Sequence, residues 1–156
     1  MKHYRKGTLE DGLRIISKLR KEDKAEVAGM GMTMLHVPFG LVVSEHATFF
    51  HYKGEPAGIA GVVRLNQHEG QIWMLCTPAI TKAPITFVRQ AKKWLDSIES
   101  DYKLLWNLAD ARNTVHHKLL KHLGFKGLRV VPTGPNALPY YEIVKLCVLS
   151  QQEPLP

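Results

Sequence analysis

The sequence is poor in cysteine and contains no long apolar run. Its two cysteines, Cys76 and Cys147, lie in apolar, strand-like segments, and there is no C-x-x-C pair of the kind that binds zinc. No segment approaches the roughly 20 apolar residues that span a bilayer, and the charged N-terminus lacks the apolar core of a signal peptide. We therefore expect two buried free thiols, no metal site and no membrane partner, in a protein that stays in the cytosol.

The sequence also lacks repeats, low-complexity tracts and an interdomain linker. A chain of 156 residues with 45% hydrophobic and 22% charged residues is large enough to bury a core. We predict a single domain over residues 1–150 and a frayed polar tail over residues 151–156.

The basic residues are not clustered, although the formal net charge is +7. A basic excess suits nucleic acid, an anionic membrane surface or an acidic ligand, and it also serves solubility alone. Because the lysines and arginines are spread along the chain, nucleic acid is the least favoured of these partners.

Hydrophobic periodicity predicts, in order, a strand, two or three helices, three meander strands, a long helix, a strand, a helix and two strands. Helices are expected at Leu9–Arg20 and Glu22–Ala28, in a turn or two within Gly40–His46, from Pro84 onward and from Asn113. The helix from Pro84 should bury an apolar face that includes Ile85 and leave Arg89, Lys92 and Lys93 in solvent. Seven segments are expected to be strands: His3–Thr8, Thr48–Lys53, Ala57–Leu65, Gln71–Thr77, Lys103–Ala109, Phe125–Val131 and Pro139–Val148.

The segment from Leu105 to Phe125 is the most informative part of the chain. An apolar strand-like run leads through a turn into a helix that begins near Asn113, and Gly124 ends that helix because glycine accepts a left-handed conformation. One face of the helix is expected to be buried, and it carries Val115, His116, Leu119, Leu120 and Leu123.

This segment resembles the distal half of the acyl-CoA site in the GNAT (Gcn5-related N-acetyltransferase) superfamily, whose pattern is N-x-x-A-x-x-L-Y-x-x-x-G-F. The chain keeps Asn113, Leu119 and Gly124-Phe125. It has His116 where the family prefers Ala, and Leu120 where the family has the Tyr that usually acts as general acid.

The resemblance implies an α/β (α+β) GNAT-like fold, with a central mixed, mostly antiparallel twisted sheet of about six or seven strands flanked by about four helices. In that fold the sheet splays between the strands Gln71–Thr77 and Lys103–Ala109. The acyl-CoA arm lies in the gap, because unpaired strand backbone can hydrogen-bond it like another strand.

The resemblance also implies an acyl-CoA groove, with acetyl-CoA as the cofactor if the site is active. On this chain the groove would include Leu75, Cys76, Thr77, Lys82 and Asn113. Asn113 would hold the pantetheine or the acyl end. In an inactive site Asn113 would instead cap its helix, and Asp would then replace it almost without loss of stability.

The sequence lacks the glycine-rich loop that binds pyrophosphate in active GNAT enzymes. At its position stands Thr77-Pro-Ala-Ile-Thr-Lys-Ala-Pro84, where no residue is glycine and two prolines remove N–H donors. Lys82 remains as a point charge. The preceding strand, Gln71–Thr77, carries no Glu that would serve as general base.

The remaining candidates for catalysis are two histidines and a cysteine. His116 or His117 would suit a general base. However, a histidine on an apolar face, such as His116, is more often a hydrogen-bonded core residue, and His117 is predicted to point to solvent. Cys76 would be an acyl-accepting nucleophile, but no neighbouring cation is evident to lower its pKa.

Leu105-Trp106-Asn107, Asn113-Thr114 and the helix rich in His and Lys also resemble the small GNAT-like internal virion protein of T7-like tailed phages. This resemblance implies virion morphogenesis. The sequence therefore predicts a GNAT scaffold that works by contact with a phage or host protein, in the host cytoplasm or the virion, with a homodimer as a further option. The alternatives are an active N-acyltransferase that transfers acetyl from acetyl-CoA to an amine, and a basic nucleic-acid-binding protein.

Overall fold

The computed structural model describes residues 3–147. The predicted end of the last strand, Val148, and the predicted tail, residues 151–156, lie outside this range. Within it the chain forms seven strands and five α-helices, in the order β1 (Tyr4–Lys6), α1 (Leu9–Ile15), α2 (Lys21–Gly29), α3 (His36–Val43), β2 (Glu45–Tyr52), β3 (Glu55–Arg64), β4 (Glu69–Cys76), α4 (Pro84–Ile98), β5 (Leu104–Asp110), α5 (Thr114–His122), β6 (Lys126–Thr133) and β7 (Leu138–Leu146).

The strands form one sheet in the order β1-β2-β3-β4-β5-β7-β6. Only β4 and β5 are parallel among the strand pairs of residues 3–147, and the other neighbours are antiparallel. This arrangement confirms the predicted fold class. The described range holds five α-helices rather than about four because the segment predicted as a turn within Gly40–His46 is a full helix, α3, that begins at His36.

The parallel pair of β4 and β5 is short and then opens into a gap. The strands pair at Glu69–Leu104, Gly70–Leu105 and Gln71–Trp106 and diverge beyond them. Gly70 is required at the closed end, since a Cβ there would collide with Val62 and Tyr102. The gap between residues 72–76 and 107–110 lies where the splay was predicted.

Helices cover both faces of the sheet. On one face α1, α2 and α3 bury Ile15, Val27 and Leu41 against the sheet. On the other, α4 buries Phe87, Ala91 and Trp94 together with α5 residues. As predicted, Arg89, Lys92 and Lys93 are exposed.

The prediction for Ile85 is wrong. Its side chain is 68% exposed because it precedes the buried Phe87 by two residues. At 3.6 residues per turn, two residues place it about 200° away from Phe87 around the helix.

The edge strand β6 is exposed along most of its length. Pro132 pairs with Pro139 of β7. Because neither proline has an N–H, this pair cannot exchange backbone hydrogen bonds, so the backbone of residue 132 faces outward. The sheet edge therefore lacks an N–H donor at this position, which hinders pairing with another strand.

Candidate functional site

Backbone groups that face the gap between β4 and β5 are hydrogen-bonded by side chains. At the narrow end, Asn107 Nδ2 donates to the carbonyl of Ile72 at 2.6 Å. Asn107 Oδ1 accepts from the amide of Leu108 at 2.7 Å and from Gln71 Nε2 at 3.2 Å. Asn107 thus joins the two strands where ladder hydrogen bonds stop.

At the wide end, two carboxylates of α2 accept hydrogen bonds from backbone amides that have no partner in the neighbouring strand. Asp23 Oδ2 accepts from the amide of Cys76 at 3.2 Å, and Glu26 Oε1 accepts from the amide of Asp110 at 3.3 Å. Residues three apart on a helix share one face, so a single helix reaches both strands.

Asn113 connects these carboxylates. Its Nδ2 donates to Asp23 Oδ1 at 3.2 Å and to Glu26 Oε2 at 2.8 Å. Its Oδ1 accepts from Arg20 Nη2 at 2.9 Å, and Arg20 Nε donates to Asp23 Oδ2 at 2.9 Å. These four residues are buried. Together with His116 they form a cluster that we call the plug.

His116 adds a titratable partner for Glu26 to the plug. Its Nδ1 lies 3.5 Å from Glu26 Oε2. Burial alone would lower the pKa of His116, but the hydrogen bond to Glu26 outweighs it, and the pKa is raised above 6.5. Likewise burial alone would raise the pKa of Glu26, but His116 and Asn113 hold that pKa below 4.5. Arg20 is thus the fixed cation of the plug, and the raised pKa of His116 favours a protonated imidazole beside Glu26.

The predicted N-cap at Asn113 is confirmed, since Asn113 Oδ1 accepts from the amide of His116 at 3.4 Å. The contacts of its Nδ2 do not fit the expectation that Asp would replace Asn113 almost without loss of stability. The side-chain amide donates to two carboxylates, and Asp at this position would bring a third carboxylate into the same buried cluster.

Apart from Cys76 and Asn113, the residues of the predicted acyl-CoA groove lie outside the plug. Leu75 packs in the cluster on the α1–α3 face. Thr77 caps the 3₁₀ turn Pro78–Thr81 by accepting from the amide of Ala79. Lys82 is exposed and forms an ion pair with Glu55 at 3.1 Å. Of the five, only Cys76 and Asn113 meet at the plug, where Asp23 contacts both.

Cys76 is a buried thiol. Burial, and to a smaller degree the nearby Asp23, raise its pKa well above the ordinary value, so the thiolate is disfavoured at neutral pH. Both cysteines are free and buried, as predicted.

The loop before α4 turns its amides inward. The amide of Ile80 donates to the carbonyl of Thr77, and the amide of Lys82 donates to that of Ala79. Pro78 and Pro84 have no amide hydrogen to offer. The amides of Ala79, Ile80 and Lys82 are therefore used within the turn, and the loop has no glycine-rich turn of the kind whose successive amides hold a pyrophosphate.

Two further predictions on α5 are wrong. His117 is half-buried rather than solvated, because its Nε2 lies 2.7 Å from the carbonyl of Asp110 and its ring packs edge-on against Tyr141. Val115 is half exposed, since it faces a groove between α4 and α5.

Two cavities flank the plug. The first, the α4–α5 groove, has a volume of about 240 Å³, with Arg20 and Asp23 at its floor and Lys118 and His122 at its rim. The second, the inner cavity, has a volume of about 230 Å³, lies on the α2–α3 side and extends into the gap. His116 lines both, so the plug stands between them.

Asp23, Glu26 and His116 have ligand atoms within 4.8 Å of one another, close enough to suggest a metal ion. However, Arg20 and Asn113 already donate hydrogen bonds to the carboxylates. A cation placed there would face a guanidinium group. The cluster therefore satisfies itself without a metal.

Sequence reasoning missed most of the plug. Arg20, Asp23 and Glu26 were assigned to ordinary helical segments. The available signal was the spacing of Asp23 and Glu26, which puts two acidic groups beside the apolar Val27 on a short helix.

The sequence matches no protein-family model and no curated protein. The structure is similar to a GNAT-family acetyltransferase from Streptococcus pneumoniae (14% identity, TM-score 0.62, covering 92% of this chain and 97% of that one). It is also similar to the ribosomal-protein-alanine N-acetyltransferase from Brucella melitensis (12%, 0.70, 92% and 98%). A third similar structure is the aminoglycoside acetyltransferase AAC(6')-Ib in complex with coenzyme A (14%, 0.64, 96% and 98%).

At these identities the similarity establishes the GNAT fold alone. Any activity has to be argued from the residues of the site. Among the helices of residues 3–147, none is long and apolar enough to cross a bilayer.

Proposed function

We propose that this chain is a GNAT-fold binding protein that does not transfer acyl groups and that acts through protein contacts. The plug is the observation that carries the proposal. The amides of Cys76 and Asp110 face the gap where an acyl-CoA arm would lie, and Asp23 and Glu26 already bind them. An entering arm would strip buried carboxylates of their partners, which is strongly unfavourable.

Calorimetric titration with acetyl-CoA tests this proposal. We expect a Kd weaker than about 1 mM, equivalent to a binding free energy of roughly 4 kcal/mol or less, and no acetyl transfer to a panel of amines. Coenzyme A without the acetyl group serves as the matched ligand. A micromolar isotherm with either ligand would overturn the proposal.

The surface that supports protein contact is the outer face of α3. Leu35, Phe39, Val42 and Val43 are each at least 60% exposed, and their spacing places them on one side of the helix. Single exposed apolar residues are ordinary, but a contiguous group on one helix is typical of an interaction site.

The resemblance to an internal virion protein suggests where the partner would be found. We propose a protein of a tailed phage or of its host, with the chain in the host cytoplasm or the virion during morphogenesis. A photo-crosslinking residue at Phe39 tests this in infected cells, with Leu146 of β7, equally exposed, as the control position. Adducts formed from position 39 alone would support the proposal, and adducts from neither position would contradict it.

A second candidate is an N-acyltransferase that uses acetyl-CoA and an amine, with His116 or Cys76 as the reacting group. The observation that favours it is the α4–α5 groove, whose basic rim of Lys118 and His122 suits an anionic ligand. Coenzyme A is bound in the similar structure of AAC(6')-Ib. The same titration separates this candidate from the first.

A further inference from the structure

The inner cavity is a mostly apolar pocket that is partly open to solvent. It holds about 230 Å³ between α2, α3 and the splayed strands, which is more space than the water-sized voids of a well-packed interior. An engineered cavity of about 150 Å³ with an apolar lining stays dry and binds benzene. By simple scaling from that case, the inner cavity accommodates about nine or ten carbon atoms.

The polar side chains around the cavity have partners within the protein. Trp73 Nε1 donates to Ser44 Oγ at 2.8 Å, and His36 Nδ1 accepts from the amide of Thr33 at 3.0 Å. Asn107 is held by both strands, as described above. The rest of the lining is mostly apolar, including Met30, Met32, Met74, Leu108 and Leu119.

The charges at the cavity wall are also matched. Glu26 is bound by Asn113 and Asp110 and lies beside His116. A charged or strongly polar ligand would lose its hydration and find these groups already committed, which costs free energy. An apolar ligand would lose only unfavourable contact with water.

We propose that the inner cavity binds an uncharged, apolar molecule of about the size of naphthalene. The ligand class is a compact aromatic or branched hydrocarbon group without an amine. The inner cavity extends into the gap and so adjoins the place of an acyl-CoA arm. Its test uses a different ligand, so the failure of this proposal and the failure of the proposed function are distinguishable.

Methionine methyl NMR on the full chain tests the inference, with naphthalene as the probe. Met30, Met32 and Met74 line the cavity, whereas Met34 packs in the α1–α3 cluster outside it. We expect saturable shifts of the three lining methyl signals and none at Met34. The absence of shifts in buffer saturated with naphthalene, or equal shifts at all methionines, would overturn the proposal.

The charged analogue 1-naphthylmethylammonium is the matched ligand. It has the same ring system and an added cation of the kind that an amine acceptor carries. We expect it to bind at least tenfold more weakly than naphthalene. Equal or tighter binding would contradict an apolar site and would favour an amine-binding one.

Leu108→Trp fills the cavity from β5, and Leu128→Trp makes the same change on the exposed β6 strand. We expect the first to weaken naphthalene binding at least tenfold and the second to leave it unchanged. If Leu108→Trp does not fold, Gly40→Leu fills the cavity from α3, where an added Cβ makes only ordinary contact with Trp73. Unchanged binding in a folded cavity-filling variant would refute the site.

Discussion

Asn113 holds two carboxylates and a guanidinium through one side chain, so its tolerance of substitution differs from that of an ordinary N-cap. We expect Asn113→Ala to lose more than the roughly 0.5–2 kcal/mol of an ordinary cap, because it also removes the donor to two buried carboxylates. Asn113→Asp should lose about 3–5 kcal/mol at neutral pH, because it buries an unpaired charge beside Asp23 and Glu26. Urea unfolding of both variants measures the order. An Asp variant as stable as the wild type would show that the plug is not formed.

His116 and Glu26 should make stability depend on pH. The raised pKa of His116 means that its contribution is complete below its ordinary value of 6.5 and is lost as pH rises through the folded pKa. The lowered pKa of Glu26 means that its contribution is present above 4.5 and is lost as pH falls through the folded pKa. The pair therefore contributes most between about pH 4.5 and 6.5.

We expect the difference in unfolding free energy between the wild type and His116→Gln to be largest in that window and to shrink towards pH 9. Urea unfolding at several pH values measures it. The exposed His122, changed to Gln, is the control and should show little dependence. A difference that grows steadily with pH would contradict the ion pair.

The sequence predicted the cap at Asn113 because capping is a local property, readable from a polar residue before a helical pattern. It could not predict the partners of that side chain. Arg20 and Asp23 are 93 and 90 residues away, and only the tertiary fold brings them to it.

At the scale of elements, α3 combines a buried and an exposed apolar face. Phe39 is 67% exposed and Leu41 is 3% exposed. We expect Phe39→Ala to change stability by less than about 0.5 kcal/mol, and Leu41→Ala to cost about 2–5 kcal/mol. Thermal and urea unfolding measure both. A large loss for Phe39→Ala would mean that this side chain packs within the protein and is not available to a partner.

The β6 edge gives a second prediction. Pro132→Thr restores an outward N–H donor on an exposed strand, which is the arrangement that favours strand pairing between molecules. We expect this variant to self-associate more than the wild type in sedimentation velocity. Val130→Thr changes the same strand without adding an N–H and should not do so. Equal behaviour of the two variants would show that the proline does not protect the edge.

Most elements were predictable because the local spacing of apolar residues indicates a strand or an amphipathic helix. The predicted position of helix α3, within Gly40–His46, begins too far along the chain. The segment from Val37 to Val43 is apolar on every side, so its apolar residues show no helical periodicity. The gap was predicted from the family resemblance. The side chains that fill it were not predicted, because the local pattern of α2 shows a helix and does not show which distant groups its carboxylates bind.

At the scale of the molecule, the charge of +7 gives a prediction about nucleic acid. The exposed basic residues Arg89 and Lys93 lie on α4, whereas Lys118 and Lys121 lie on α5, and no recognition motif accompanies them. We expect duplex DNA to bind no more tightly than about 1 μM at physiological salt, the range of non-specific binding. Gel-shift titration measures this, and a tighter complex would favour the nucleic-acid alternative.

The plug also limits when folding can be completed during synthesis of the chain. Its acidic residues lie near the start of the chain, and the strand and cap residues that they bind lie 53 to 90 residues later. During synthesis the N-terminal part emerges first. Arg20 can pair with Asp23 as soon as α2 forms. The partners of Glu26 lie at residues 110–116, so its carboxylate can be bound, and the plug completed, only after that segment has left the ribosome.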